Sequence, residues 1–482
     1  MKIIIVVIMM LAFLLQSKNA NAQWEADVRL TNATESSCTK SNWCIAANGN
    51  VVHVVWYDNR DSNWEIYYKR STDGGVTWDS DTRLTNNGGN SQSPSIACSG
   101  SNVHVVWNGH RDDSLEIYYK HSTDGGVTWG ADTRLTNNGS NSQSPSIACS
   151  GSNVHVVWHD PRDGNLEIYY KHSTDGGVTW GADTRLTNAS SVSCFPSIAC
   201  SGLNLHVVWR DERNANWEVY YKRSTDGGTT WGSDTRLASD SAGSEKPSIA
   251  VAGTVVHVVW EYIYLNSGNW EIYYKRSTDG GLTWGANTRL TYAISDSWLS
   301  SIAVIGSFVH VVWMDKRDGN EEIYYKRSTD GGINWGADTR LTNNTSWSEF
   351  PSIAVSGSFV HVAWCDYRDG NFEIYYKRNP TGNLIGIQNI STEIPSYYSL
   401  SQNYPNPFNP STTIRYELPR SGSVRLAVYD VMGREVETLV NERQAAGSYE
   451  ATFEGSRFAS GVYFYRLTAE GYGETRKMLI IR

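Results

Sequence analysis

The phrase Ser-Thr-Asp-Gly-Gly-x-Thr-Trp recurs along this chain at a nearly fixed interval, and this periodicity limits the possible folds more than any other feature. The phrase occupies residues 71–78, 122–129, 173–180, 224–231 and 277–284, with an Ile-Asn-Trp variant at 328–335. The successive steps are 51, 51, 51, 53 and 51 residues. A fixed period in this range is typical of repeat proteins, in which each unit buries its faces against its neighbours. The sequence therefore predicts a repeat architecture.

Each repeat contains four short segments with the composition of β-strands. In one unit they are Ser95–Cys98, Val103–Trp107, Glu116–Lys120 and Asp132–Thr136. These segments are rich in β-branched and aromatic residues and are bounded by Gly, Asn, Asp or Ser, which favour turns. Four antiparallel strands in a repeat of this length predict one blade of a β-propeller.

The two ends of the repeat region complement each other. Second strands occur seven times and carry His53, His104, His155, His206, His257, His310 and His361, but only six recurring turns are present. Trp24–Asn32 matches Trp78–Asn86 position for position, whereas the last unit stops at Arg378. The N-terminal segment is therefore expected to supply the last strand of the seventh blade and to cover its edge. The prediction is an all-β, seven-bladed propeller of four-stranded blades over residues 23–378, built from repeats of about 51 residues.

The first residues have the pattern of a secretory signal peptide. Met1-Lys2 precedes an apolar run from Ile3 to Leu15, and Ala20-Asn21-Ala22 forms a small-x-small cleavage site. The apolar run is shorter than the roughly 20 residues that a membrane span needs. We expect residues 1–22 to be removed and the mature protein to be exported without a transmembrane segment.

Composition excludes one class of partner and supports the fold class. The formal net charge is −9 and no basic run is present, so nucleic acid is not an expected partner. The 20 Trp, 28 Tyr and 42 Gly residues favour an aromatic-rich, turn-rich all-β protein.

Seven cysteines are present, an odd number for an exported chain. Cys98, Cys149 and Cys200 occupy the same repeat position within a strand, so they are interpreted as small core residues. Two pairs six residues apart could form local disulfides in an oxidising compartment, and the sequence leaves both open: Cys38 with Cys44, and Cys194 with Cys200.

The recurring phrase resembles the Asp-box, or bacterial neuraminidase repeat, of sialidases and other secreted propellers. In that family the box forms the turn between the third and fourth strands, on the face away from the active site. The resemblance implies structural roles for the box Asp and Trp residues, in which Asp accepts turn N–H groups and Trp packs on the neighbouring sheet. These residues are Asp73, Trp78, Asp124, Trp129, Asp175, Trp180, Asp226, Trp231, Asp279, Trp284, Asp330 and Trp335. The Arg-Ile-Pro motif of sialidases does not occur in this sequence.

The C-terminal region resembles the sorting domain of the type IX secretion system. The resemblance lies in Tyr404–Thr413, Val424–Asp430, Gly461–Arg466 and Lys477–Arg482. It implies a small immunoglobulin-like β-sandwich over residues 404–482 that contacts the type IX machinery. It also implies export to the outer-membrane cell surface or the medium, with release or attachment to a glycolipid after the domain is removed. Residues 379–403 are predicted to be a linker.

Two repeated polar features have both a functional and a structural interpretation. The loop after the second strand carries pairs such as Asp58/Arg60 and Asp315/Arg317 on the face opposite the boxes. There they could bind sugars or an acidic polymer, clamp the loop, or form ion pairs between blades. The seven strand histidines could form a metal ring, but equivalent atoms of neighbouring blades are too far apart for one metal ion. Repetition in every unit favours the structural interpretation of both. No metal site and no cofactor are predicted.

The fifth repeat departs from the others and supplies the candidate ligand site. It replaces the Asp/Arg loop by Glu261-Tyr-Ile-Tyr-Leu265, and nearby inter-blade loops add Glu245-Lys246, Asp296-Ser-Trp298 and Trp347-Ser-Glu349. Aromatic rings beside carboxylates can stack on sugars and supply hydrogen bonds or general acids. The candidate ligand-binding residues are Glu261, Tyr262, Tyr264, Asp296, Trp298, Trp347 and Glu349.

The leading hypothesis is a secreted or surface-displayed, non-catalytic propeller that binds a glycan, a polysaccharide or an extracellular protein. One alternative is an exo-acting glycoside hydrolase of sialidase type or a polysaccharide lyase, for which the sequence identifies no catalytic residues. A second alternative is a purely structural display protein.

Overall fold

The computed structural model describes residues 24–39, 43–111, 114–238, 243–263, 268–382, 388–391, 395–409, 411–444, 446–455 and 458–481. The predicted signal peptide lies outside these residues. The contacts divide the chain into two compact units, one spanning Trp24–Asn383 and one containing Leu384–Arg482. Within the described ranges the regular elements are all β-strands, and no helix there is long and apolar enough to cross a membrane.

The first unit is built from 29 strands. They are β1 (Val28–Arg29), β2 (Ser37–Cys38), β3 (Ile45–Asn48), β4 (Val51–Asp58), β5 (Glu65–Ser71), β6 (Thr82–Arg83), β7 (Ser91–Ser99), β8 (Asn102–Arg111), β9 (Ser114–Ser122), β10 (Thr133–Arg134), β11 (Gln143–Ser150), β12 (Asn153–Asp160), β13 (Glu167–Ser173), β14 (Thr184–Arg185), β15 (Ser193–Ser201), β16 (Asn204–Asp211), β17 (Glu218–Ser224), β18 (Thr235–Arg236), β19 (Ser244–Ala252), β20 (Val255–Ile263), β21 (Trp270–Ser277), β22 (Thr288–Arg289), β23 (Ser297–Ile305), β24 (Phe308–Asp315), β25 (Glu322–Ser328), β26 (Thr339–Arg340), β27 (Ser348–Ser356), β28 (Phe359–Asp366) and β29 (Glu373–Asn379).

These strands form seven antiparallel sheets, which we number as blades in chain order. Blade 1 contains β2–β6, and blades 2 to 6 contain β7–β10, β11–β14, β15–β18, β19–β22 and β23–β26. Blade 7 has the order β1-β29-β28-β27, so its outer strand comes from the N-terminal segment. In that pairing Val28 is opposite Tyr376 and Arg29 is opposite Tyr375. The prediction of an all-β propeller is confirmed.

The core lies between blades and is supplied mainly by the second and third strands. Trp158 and the tryptophans at the same position of the other six blades are fully buried. The turn tryptophan of each blade packs edge-on against a tyrosine of the preceding blade, as Trp129 does on Tyr68 with ring centroids 4.9 Å apart. Trp24 makes the same contact with Tyr325 at 4.9 Å, and Trp78 contacts Tyr376 at 4.8 Å. The contacts across the junction between the chain ends therefore match those between other blades.

Polar contacts also join neighbouring blades. Lys120 of blade 2 donates a hydrogen bond to the carbonyl oxygen of Leu84, beyond the outer strand of blade 1 (2.5 Å). Lys69 of blade 1 makes the equivalent bond to Leu30 of the N-terminal segment (2.5 Å). On the inner strands the backbone N–H of Cys44 donates to Ser352 Oγ of blade 7 at 3.0 Å. The same lysine contact thus occurs both at a regular junction and at the junction that brings the chain ends together.

The second unit consists of two four-stranded sheets. Its strands are β30 (Gln388–Ser391), β31 (Ser399–Leu400), β32 (Ser411–Leu418), β33 (Gly422–Tyr429), β34 (Glu435–Gln444), β35 (Gly447–Glu454), β36 (Gly461–Ala469) and β37 (Tyr472–Ile480). One sheet has the order β30-β35-β32-β31 and the other β34-β33-β36-β37. Buried residues such as Ile414, Leu426 and Leu467 share one core cluster.

The structure changes the predicted linker. Strands β30 and β31 fall inside residues 379–403, and both belong to a sheet of the second unit. The Asn, Ser and Pro content of this segment resembled a linker, but its strands pair with longer strands whose apolar pattern is clear only later in the sequence.

Candidate functional site

The Asp/Arg loops are clamps within single blades. The Arg60 guanidinium contacts Asp58 at 2.5 Å and Asp81 at 2.8 Å, and it lies 4.4 Å from the centroid of the Tyr67 ring. The Arg60 N–H also donates to the carboxylate of Asp58, which is fully buried. The same clamp is formed by Arg162, Arg213, Arg317 and Arg368 with aspartates of their own blades. In blade 7 one of these aspartates is Asp27 of the N-terminal segment.

The recurring turns lie at the opposite end of the third strand from these loops. Asp73 Oδ1 accepts the backbone N–H groups of Val76 (3.0 Å) and Thr77 (2.9 Å), and the Thr77 hydroxyl donates to Asp73 Oδ2 at 2.6 Å. These hydrogen bonds, with the Thr77 hydroxyl as the largest cause, hold the pKa of Asp73 well below its usual range. Equivalent bonds occur in the other five turns, where Asn334 replaces threonine in the last.

The strand histidines are paired with tyrosines of their own blades. His155 Nδ1 lies 2.8 Å from the Tyr170 hydroxyl, and the other six blades have equivalent pairs at 2.7 Å. Burial lowers the pKa of His155 to about 4, so this ring is neutral at physiological pH. Each pair lies inside one sheet, which supports a core role.

The blades differ most in a ring of cross-strand pairs at the loop end of the inner strands. In each blade, the residue directly after the buried tryptophan of the second strand lies opposite a residue of the inner strand, which is the strand that precedes it in the chain. We call these seven pairs the variable layer. Its pairs are Tyr57/Cys38, Asn108/Gln92, His159/Gln143, Arg210/Cys194, Glu261/Glu245, Met314/Trp298 and Cys365/Glu349. The residues immediately before it on the second strand are nearly identical in all blades, with Val-Val-Trp or Val-Ala-Trp in each.

A backbone bulge follows the variable layer on six inner strands. In each of them the residue two places before the Ser-Ile-Ala sequence has a positive φ, between 43° and 55°. These residues are Ser93, Ser144, Phe195, Lys246, Leu299 and Phe350. The strand register shifts at the same place. Bulges redirect side chains and are common near binding sites. They give the variable layer a backbone geometry that regular strands lack.

Arg210 is at the centre of a contact group in blades 3 to 5. Its guanidinium contacts Glu245 Oε2 at 2.8 Å and lies 3.8 Å from the centroid of the Trp217 ring and 4.9 Å from that of Phe195. The Phe195 backbone N–H faces His159 Nδ1 at 3.3 Å. Aromatic faces on an arginine and an ion pair to the next blade hold this side chain in one orientation.

Glu261 carries a buried carboxyl group and lies on β20 directly opposite Glu245 of β19. It is 3% exposed, its Oε1 accepts the Leu299 backbone N–H at 2.5 Å, and Lys246 Nζ lies 3.9 Å from its Oε2. Burial raises the pKa of Glu261 to about 7, although Lys246 and the Leu299 N–H act in the opposite direction. The side chain therefore exchanges a proton near neutral pH.

The predicted candidate residues fall into different environments. Glu261, Trp298 and Glu349 belong to the variable layer, and Trp298 and Glu349 lie in inner strands rather than in the loops predicted for them. Tyr262 occupies the place of the clamp aspartate and packs on Tyr273 with centroids 4.7 Å apart. Tyr264 lies outside the described residues.

Two candidate residues stand apart from the layer. Asp296 Oδ1 accepts the Trp270 N–H at 2.9 Å, a contact that Asn141 makes with Leu115 in another blade, so Asp296 fills a repeated structural position. Trp347 is 49% exposed and lies 5.6 Å from Tyr367.

The sequence interpretation missed Arg210 and His159, and it treated Glu245 and Lys246 as loop additions. The signal was available, because aligning the repeats on the buried tryptophan gives Tyr, Asn, His, Arg, Glu, Met and Cys at the next position. A position that changes character in every copy of an otherwise uniform repeat is not required by the common fold.

Comparison with known proteins identifies the C-terminal region. Residues 402–482 match the family described as the secretion system C-terminal sorting domain. This match confirms the predicted sorting domain, and it indicates type IX export to the cell surface or the extracellular space.

The propeller has more distant relatives. Xyloglucanase Xgh74A of Acetivibrio thermocellus is 30% identical over 192 residues, covering 34% of this chain and 22% of the xyloglucanase. The chain thus spans about a fifth of that relative's length. The crystal structure of polysaccharide lyase Uly1 superposes with a TM-score of 0.52 and 9% identity, covering 74% of this chain and 99% of the lyase. A Trypanosoma rangeli sialidase gives a TM-score of 0.44 and 12% identity, covering 83% of this chain and 86% of the sialidase.

Proposed function

We propose that this protein is an exported glycan-binding propeller whose ligand contacts the variable layer between blades 4 and 7. The observation that carries the proposal is the concentration of differences between blades at this layer, in units that otherwise repeat their side chains. Ligand pockets combine apolar or aromatic walls with a few fixed polar groups. Trp298 supplies a ring in this layer and Trp217 a second one beside Arg210, and Glu245 and Glu349 supply carboxylates.

The pairing of charges favours a ligand without a strong negative charge. Arg210 is bound to Glu245, and Lys246 lies beside Glu261. The five clamp arginines of the described loops are each held by two aspartates. An arginine already bound to carboxylates is poorly placed to hold the carboxylate of a sialic acid. The similarity to a xyloglucanase supports xyloglucan as the first ligand to test.

The test is binding of the mature protein to a glycan array, followed by calorimetry with the strongest ligand. Trp298→Ala and Glu245→Gln are expected to weaken binding at least tenfold, about 1.4 kcal/mol. Ile333→Ala is the matched control, because Ile333 is an exposed apolar residue in a recurring turn, away from the layer. Equal affinity of all three variants and the wild type would contradict this location of the site. Absence of any glycan ligand would favour the structural display alternative.

One observation also supports a catalytic alternative. A carboxyl group with a pKa near neutrality suits a general acid, and Glu261 has this property beside a second carboxylate, Glu245. The alternative predicts turnover of a polysaccharide, detected as new reducing ends for a hydrolase or as the ultraviolet absorbance of an unsaturated product for a lyase. Turnover that Glu261→Gln abolishes while ligand binding persists would establish an enzyme.

A further inference from the structure

Two cysteines distant in sequence meet at the junction between the first and last blades. Cys38 Sγ lies 3.2 Å from Cys365 Sγ, and 327 residues separate them. Cys38 is on β2 opposite Tyr57 of blade 1, whereas Cys365 is on β28 of blade 7, opposite Glu349 and Ile374. The contact therefore joins the N-terminal part of the propeller, in blade 1, to its C-terminal part, in blade 7.

We propose that Cys38 and Cys365 form a disulfide in the exported protein, locking blade 1 to blade 7. The two thiols lose two protons and two electrons to a disulfide-bearing thiol oxidoreductase of the periplasm, which becomes a dithiol as the new S–S bond forms. Proteins exported to such compartments keep disulfides, and the C-terminal sorting domain places this chain on that route. The sulfurs need to approach from 3.2 Å to about 2.05 Å.

The surroundings favour this pair over the two local pairs that the sequence left open. In the structure none of the seven cysteines is in a disulfide. Cys44 Sγ donates toward the carbonyl oxygens of Thr39 (3.4 Å) and Pro94 (4.0 Å). Cys194 Sγ accepts a hydrogen bond from Arg210 Nε at 3.4 Å. The contact of Cys38 with Cys365, by comparison, brings two sulfur atoms to 3.2 Å.

Burial determines when the bond forms. Cys38 is 3% exposed and Cys365 is fully buried, so an enzyme cannot reach either sulfur in the closed ring. Burial also raises the pKa of the Cys365 thiol well above its ordinary value, which suppresses the reactive thiolate. Oxidation therefore accompanies closure during folding, and the finished bond is shielded from reductants in the native state.

The direct test is a thiol map of the full-length wild-type protein collected after export. The sample is denatured in acid without reductant, alkylated with N-ethylmaleimide and digested, and peptides are identified by mass spectrometry. We expect the peptide of Cys38 to be linked to that of Cys365 and the other five cysteines to be alkylated. Alkylation of both Cys38 and Cys365, or a link from Cys38 to Cys44, would overturn the proposal.

Variants provide a second test that does not depend on peptide recovery. Cys365→Ser is expected to lower the melting temperature by at least about 5 °C, because a disulfide closing a long loop restricts the unfolded chain. Reductant with partial denaturant should lower the wild-type value to that of the variant. Cys98→Ser is the matched control and should keep the reductant response of the wild type. A wild type insensitive to reductant under these conditions would refute the cross-link.

Discussion

Glu261 shows how one residue can depart from a repeated position. Five of the seven blades have an aspartate directly after the variable-layer residue, and it holds the loop arginine in each. Blade 5 has Tyr262 there instead, and its carboxyl group is Glu261, one residue earlier and on the other face of the strand. This one-residue shift moves the carboxyl group from a clamp with an arginine to a site beside Lys246.

The raised pKa of Glu261 gives a testable pH dependence. Its folded pKa of about 7 exceeds the ordinary 4.5, so its contribution to stability is complete below pH 4.5 and is lost as the pH rises through 7. We expect Glu261→Gln to gain stability relative to the wild type between pH 5 and pH 8, by up to roughly 3 kcal/mol. Urea unfolding of both proteins at the two pH values measures this difference. A difference that does not change with pH would contradict the assigned environment.

Adjacent glycines of one turn provide a second prediction. Gly177 has φ of 89°, and a Cβ there would lie 1.8 Å from the Tyr119 hydroxyl, whereas Gly176 has φ of 77° with open space around it. Gly176→Ala should therefore cost only the backbone strain of about 1–2 kcal/mol. Gly177→Ala should cost about 3–5 kcal/mol, because it also displaces the hydroxyl that bonds His104. Denaturant midpoints compare the two variants, and equal midpoints would disprove the steric argument.

At the scale of single elements, the second strand is more deeply buried than the recurring turn, and we expect it to contribute more to stability. The turn tryptophan packs on the neighbouring sheet, as the resemblance implied, but Trp180 is only half-buried and rests on Tyr119 with ring centroids 4.9 Å apart. Trp158 of the second strand has no exposed surface. The turn is easily recognised in the sequence because its backbone conformation requires particular residues. The strand is harder to recognise because many different apolar residues can fill its buried positions.

This difference predicts an order of effects within one blade. Trp158→Ala is expected to destabilise the propeller by about 3–5 kcal/mol through a large cavity. Trp180→Ala should cost less, about 2 kcal/mol. Asp175→Ala should also cost less than Trp158→Ala, because water can reach the turn N–H groups that lose their acceptor. Thermal unfolding of the three variants ranks them. A larger loss for Trp180→Ala than for Trp158→Ala would reverse our assignment of the core.

At the scale of the whole molecule, the N-terminal strand completes the last blade. It supplies two paired residues on β1, the Trp24 ring contact and Asp27, which binds both Arg368 and Lys377 at 2.8 Å. Deletion of residues 24–33 would expose the edge of β29 and remove Asp27 from both cations, leaving Arg368 with Asp366 alone. We expect the deletion variant to aggregate or to melt at least about 10 °C lower than the mature protein. Light scattering and calorimetry measure both, and an unchanged melting temperature would contradict this role.

The fold was far more accessible from the sequence than the site. The period, the strand composition and the match of Trp24–Asn32 to Trp78–Asn86 all reflect contacts repeated in every blade, so each is written several times. The residues of the variable layer differ from blade to blade, so no repeated pattern marks them in the sequence. Their contacts join blades that are about 51 residues apart. The approach of Arg210 to Glu245 requires two packed blades, and that of Cys38 to Cys365 requires the closed ring, so neither has a local signature.

The outer strand of blade 7 also affects how molecules of this protein can associate with one another at high concentration. The segment around β1 has the same Arg-Leu-Thr sequence as the outer strands of blades 1 to 3 and 5 and 6, so the edge of β29 recognises a pattern common to every copy. A strand from a second molecule offers the same hydrogen bonds as the molecule's own. The closed ring is preferred because β1 is covalently linked to the same chain, which keeps it at a high effective concentration near β29. Ring formation and head-to-tail strand exchange are thus competing outcomes of one interaction, and protein concentration during folding decides between them.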